Sequence, residues 1–156
     1  MVREVMPDLV RLGIEFLEQP FPAADVDAYR ALREVRPRVA IVLDESVQGP
    51  GDVARAGDLA DGVSVKLEKA GGLRESLRVI RAARARGLGV MLSCMLESQL
   101  GLAHAVQIAS LVDWTDLDGH FLVGDEPFTG LRFEDGRVLP SSRPGLGVEP
   151  TGEAAV

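Results

Sequence analysis

Five short apolar runs, rich in β-branched residues, each stop at a charged or polar residue. They are Ile14-Glu15-Phe16-Leu17 into Glu18-Gln19-Pro20, Ala40-Ile41-Val42-Leu43 into Asp44-Glu45-Ser46, and Val63-Ser64-Val65 into Lys66. Val90-Met91-Leu92 into Ser93-Cys94-Met95 and Trp114-Thr115 into Asp116-Leu117-Asp118 complete the set. Helix-like stretches separate most of them, which is the rhythm of successive βα units and a parallel sheet.

Asp25 reads as the N-cap of a helix over about 26–36 that presents Val26, Tyr29, Leu32 and Val35, with Pro37 ending it. Asp52 reads as the cap of a short helix to about Ala56. Leu73 to Arg86 presents Leu73, Leu77, Ile80 and Ala83, and a helix over about 97–111 turns Leu100, Ala103 and Leu111 inward. The first dozen residues read as a helix interrupted at Pro7. Parallel strands alternating with helices close into (β/α) barrels, where every strand C-terminus opens onto the face that carries the chemistry. A whole barrel takes about 250 residues, and this chain has 156. The expectation is therefore a partial (β/α) barrel of about five consecutive units over residues 1–125. A post-barrel segment follows over 126–150, with a small hairpin around Asp135-Gly136. Residues 151–156 read as a disordered tail.

Composition excludes several function classes. No run approaches the ~20 apolar residues of a membrane span, and the start lacks a signal-peptide core. A net charge of −7 argues against a nucleic-acid partner. The single cysteine, Cys94, cannot form an internal disulfide, which suits a cytoplasmic location.

Glu18 and Asp44 end consecutive strands, so their carboxylates face one another at the barrel mouth and repel unless a cation lies between them. Hard oxygen donors of this kind suit Mg²⁺. Glu45 adjoins Asp44, but strand alternation turns it to the opposite side, which favours Asp44. Lys66 is the first polar residue of the third strand; beside metal-bound carboxylates it reads as a usable acid/base, whereas Lys69 falls in the following loop. Gly71-Gly72 before a helix also fits an anion cradle. Asp116 and Asp118, two residues apart, project to one side and form a natural receptor for a substrate ammonium group. His104 and His120 read as structural, and no Ser–His–Asp arrangement is evident.

Together these segments resemble the C-terminal part of the enolase superfamily, in its muconate-lactonizing-enzyme-like branch, and are most similar to dipeptide epimerases of the L-Ala-D/L-Glu type. The segments that carry the resemblance are Glu18-Gln19-Pro20, Asp44-Glu45-Ser46, Val65-Lys66-Leu67-Glu68-Lys69-Ala70-Gly71-Gly72, Ser93-Cys94-Met95-Leu96-Glu97-Ser98 and Asp116-Leu117-Asp118-Gly119. The resemblance implies five units of a (β/α)7β barrel with Mg²⁺ at the strand ends. By position, Glu18 and Asp44 would be metal ligands, Lys66 an acid/base, and Asp116 and Asp118 the receptor for a dipeptide's α-ammonium. The superfamily's reaction is proton removal next to a carboxylate, with Mg²⁺ taking up the developing charge. The family's first metal-ligating aspartate, its lysine-x-lysine segment and its capping domain have no counterpart in residues 1–12, so the chain is expected to be inactive alone. Muconate cycloisomerase and o-succinylbenzoate synthase chemistry are the alternatives within the superfamily; their substrates lack the ammonium that the aspartate pair suits. A non-catalytic, self-associating fragment is the alternative outside it, because an opened barrel leaves two strand edges. The expected partners are accordingly a dipeptide, and either further copies or a complementing N-terminal half.

Overall fold

The computed structural model describes residues 2–34 and 39–152. Five strands form one parallel sheet in sequence order: β1 (Phe16–Glu18), β2 (Ala40–Leu43), β3 (Gly62–Lys66), β4 (Gly89–Ser93) and β5 (Trp114–Asp116). The crossovers carry α2 (Val26–Glu34), α3 (Val53–Leu59), the single turn α4 (Leu67–Ala70), α5 (Leu73–Arg84) and α6 (Gln99–Val106), while α1 (Val2–Arg11) precedes the sheet. This is half of a (β/α) barrel. Antiparallel pairs β6 (Phe128–Thr129) with β9 (Glu149–Pro150), and β7 (Arg132–Glu134) with β8 (Arg137–Leu139), follow it. Asp135 and Gly136 both hold positive φ, 49° and 72°, as a two-residue hairpin turn demands.

Register decides which side chains meet. Phe16 pairs with Ala40, Glu18 with Val42, Val42 with Gly62, and Gly62 with Gly89. Higher up, Ser64 pairs with Met91, Met91 with Trp114, Lys66 with Ser93, and Ser93 with Asp116. Side chains alternate along a strand, so Glu18, Asp44, Lys66 and Asp116 fall on one face. The opposite face, with Ile41, Leu43, Val63, Val65, Val90 and Leu92, joins Tyr29 and Leu32 of α2, Val79, Ile80 and Ala83 of α5, and Leu102 and Ala103 of α6 in the main core.

Deep in the inner face the Phe16 and Trp114 rings lie 5.2 Å apart, and Trp114 Nε1 donates to Glu15 Oε1 at 2.8 Å. These contacts link the first and last strands. Gly89 makes room for them: a Cβ there would meet the indole at 2.7 Å.

Local expectations shift in several places. Pro7 lies inside α1 without ending it. Asp25 does cap α2, accepting from the Ala28 N–H at 3.1 Å; Val35 and Pro37 lie outside the described residues. Asp52 instead turns back to accept from the N–H groups of Gln48 and Gly49, and α3 runs on to Leu59. On α5 the buried stripe is Ser76, Val79, Ile80 and Ala83, with Leu73 and Leu77 at its margin. Helix α6 ends at Val106, and Leu111 is 47% exposed in a separate 3-10 turn rather than inward. Thr151 is tied to Pro127 O and Glu126 O, so an ordered contact reaches into the segment expected to be a tail; residues 153–156 lie outside the described residues.

Candidate active site at the strand ends

The ends of β1, β2 and β3 bring Glu18, Asp44 and Lys66 together. Glu-Gln-Pro does this through Gln19, whose φ of 40° turns the chain at the end of β1. Its side-chain oxygen accepts from the N–H of Asp44 (2.8 Å) and of Ser46 (3.3 Å), and its nitrogen donates to Ser46 Oγ (2.8 Å). Gln19 thereby fixes the backbone on both sides of Glu45. Asp44 is buried and Glu45 exposed, as alternation requires.

Asp44 is held by two cations. Lys66 Nζ donates to Oδ2 at 2.8 Å, and Lys69 Nζ contacts Oδ1. Lys69 also donates to the carbonyls of Asp44 (2.7 Å) and Ser64 (3.1 Å). Lys69 is thus part of the site and not of a loop: α4 folds its first turn straight from β3, and residues three apart on a helix share a side. The Lys-x-x-Lys spacing was the available signal.

Charge states follow from these contacts. Burial alone would raise Asp44, but Lys66 and Lys69 outweigh it and hold the carboxyl below its ordinary value. Burial would lower Lys66, yet Asp44, with Glu18 and Glu45, raises it instead, so in this state it keeps its proton firmly. Glu18 is raised chiefly by burial, with Asp44 and Asp116 adding to the rise and Ser64 and Lys66 opposing it. The Ser64 hydroxyl is fully buried and makes no hydrogen bond of ordinary geometry.

Asp116 and Asp118 stand exposed around buried Leu117, and neither carboxylate is engaged by a side chain among the described residues. They line a cavity of about 550 Å³ with Phe121, Phe133 and Arg137, whereas Glu18 and Asp44 line another of about 530 Å³ with Phe21. The structure therefore divides the four expected carboxylates between two cavities, with Lys66 lining neither and reaching the first through its ion pair with Asp44; Asp116 is still close enough to perturb Glu18.

Three other polar groups mark the rim. Glu97 is pushed up to about 8 by burial and by the neighbouring Glu68 carboxylate, and its Oε2 is buried without a partner. His120 is buried, stacked 3.8 Å from Phe133 with Phe121 tilted against it at 3.9 Å, and held below its ordinary value by burial against the opposing pull of Glu126, Asp118 and the Leu117 backbone. Neither of its nitrogens makes a hydrogen bond of ordinary geometry. The N–H groups of Gly71 and Gly72 both donate to Leu67 O, so they are not offered to an anion.

The chain matches the enolase C-terminal domain-like family over residues 1–155. It belongs to that family. A hydrophobic dipeptide epimerase from Roseobacter litoralis is 39% identical over 145 residues, which are 93% of this chain and 42% of that protein. Muconate cycloisomerase 1 from Rhodococcus opacus is 36% identical over 152 residues, 92% of this chain and 40% of its own. The crystal structure of a dipeptide epimerase from Methylococcus capsulatus complexed with Mg ion superposes with a TM-score of 0.86 at 36% identity, covering 94% of this chain and 44% of that one. The chain thus spans less than half the length of these relatives. Among the described residues no helix is long and apolar enough to cross a membrane, and no group of three His, Cys, Asp or Glu is placed to hold a metal ion.

Proposed function

We propose that this chain is the C-terminal barrel part of a Mg²⁺-dependent dipeptide epimerase that exchanges the α-proton next to a carboxylate. The observation that carries this reading is the unengaged carboxylate of Asp116, on the same sheet face as Lys66, with that of Asp118 beside it in one cavity. Their role is to hold the α-ammonium of the dipeptide, which orients the α-carbon toward the strand ends. Lys66 moves the proton. Lys66, Asp116 and Asp118 thus have separate tasks of transfer and binding.

Glu18 and Asp44 fit a hard cation. They are two carboxylates on adjacent strand ends, one of them raised by burial and its like-charged neighbours, with the buried Ser64 hydroxyl nearby. Mg²⁺ needs only one or two protein carboxylates, with water and substrate oxygens completing its shell. When bound, it takes up charge that develops on the substrate carboxylate. A remaining ligand and a second proton carrier would come from additional strands, and β1 and β5, each paired on one side only, offer the backbone edges where such strands would add.

The test is exchange of the dipeptide α-proton with deuterium, followed by NMR, using this chain combined with the N-terminal part of the Roseobacter relative. Exchange should need Mg²⁺. Asp116→Asn and Asp118→Asn should each abolish most of it, about 100-fold, while leaving metal binding intact. Turnover of muconate-type acids that lack an ammonium, unaffected by these changes, would instead establish the cycloisomerase reading that the Rhodococcus relative raises.

A further inference from the structure

Of the chain's seventeen cationic side chains, only Lys66 and Lys69 are lysines, and both meet on Asp44. Their bonding differs. Lys69 spends its donors on three oxygens: the Asp44 carboxylate, the Asp44 carbonyl at the end of β2, and the Ser64 carbonyl within β3. Two of those acceptors are main chain, so it cannot leave without unpairing buried backbone. Lys66 has a single hydrogen-bond partner, Asp44 Oδ2, and its remaining N–H groups are free to turn elsewhere. An ammonium with three donors and one acceptor is exchangeable; one with three acceptors is anchored.

We propose that Lys69 is a positioning residue that clamps Asp44 across the ends of β2 and β3, so that only Oδ2 changes partner, from Lys66 to an incoming cation. This rests on the reading of Asp44 as a metal ligand for its second half only; the clamp itself stands on the contacts. It also separates two roles for lysines three residues apart: Lys66 is released for proton transfer when Oδ2 is taken, and Lys69 keeps the carboxylate aimed.

Removing a positive charge beside a cation site should, on charge alone, tighten cation binding. A clamp predicts opposite signs for the two lysines. Reductive methylation with ¹³C-formaldehyde, read by NMR on the intact chain, reports each lysine separately; Lys69 should react about tenfold or more slowly than Lys66. Mn²⁺ titration, read from broadening of the Glu18 and Asp44 amides, should show affinity falling about tenfold in Lys69→Met. Affinity should be unchanged or tighter in Lys66→Met and largely restored in Lys69→Arg. Equal methylation rates would overturn the clamp. A Lys69→Met protein that binds Mn²⁺ as well as the parent, or better, would overturn the positioning role. Slow methylation of Lys69 with no Mn²⁺ broadening in the parent would uphold the clamp and sink the metal reading of Glu18 and Asp44. Should Lys69→Met fail to fold, the parent's methylation rates and the Lys69→Arg titration still decide the matter.

Discussion

Replacing Glu97 by Gln tests whether a carboxyl at the rim of the site is kept protonated by its surroundings. The group moves from 4.5 in the unfolded chain to about 8 in the fold. Folding therefore favours the protonated form. The associated stability is fully present below pH 4.5 and drains away as pH rises toward 8. Each pH step inside that window is worth up to about 1.4 kcal/mol, a ceiling of about 5 kcal/mol for an isolated group. Glu97 is only partly enclosed and acts jointly with exposed Glu68, so screening reduces the expected loss to about 2 kcal/mol. Gln presents a permanent N–H to Glu68 and cannot ionise. Urea unfolding at half-unit intervals from pH 5 to 8.5 should therefore show wild type losing about 2 kcal/mol that Glu97→Gln keeps. Curves that stay parallel over that range would refute the argument and place the Glu97 carboxylate in ordinary solvent.

Other perturbations follow the same logic. Asp44→Asn strands two ammonium groups that are 14% and 16% exposed, so chemical denaturation should show a loss of about 3 kcal/mol or more. Since Asp44 is held below its ordinary value of 3.8, wild-type stability from this source should be fully present above that value and drain away as acid takes the pH from there down through the folded value. Gly89→Ala drives a methyl into the Trp114 ring, and should cost about 1–3 kcal/mol with a shift in the emission of the single tryptophan. His120, held low by burial, makes wild type weaken as pH falls through the ordinary histidine value of 6.5 toward the lower folded one. His120→Phe should remove that slope, and at pH 7 gain on the order of 1 kcal/mol by removing two buried nitrogens that make no hydrogen bond of ordinary geometry.

The strand-end residues were legible because the strand period is fixed. Once Val63-Ser64-Val65 is read as a strand, Lys66 has one face available, and parity links it to Glu18, Asp44 and Asp116. Asp25 was legible as a cap because its oxygen serves only local N–H groups. Lys69 was not legible as a member of the site, because that depends on β3 passing into α4 without a loop. Gln19 lay within a segment read for its glutamate, and its role needs Asp44 and Ser46, more than twenty residues away. Leu111, and the displacement of the α5 stripe from Leu73 and Leu77 toward Ser76 and Val79 while Ile80 and Ala83 stayed buried, share a reason: helical spacing gives the width of an apolar face but not its rotation against the sheet, which packing sets. The split into two cavities arises from how tightly the sheet curls, a property that no single segment encodes.

The link from Trp114 to Phe16 and Glu15 has a further consequence. An open sheet has nothing in its backbone pairing to fix its curvature, yet here the final strand reaches across and braces the first. Until Trp114 has been synthesised and seated, the earlier four strands lack that brace, so the hollow that any additional strands must match acquires its shape late. Whatever completes the ring meets a surface whose bend was settled by one indole.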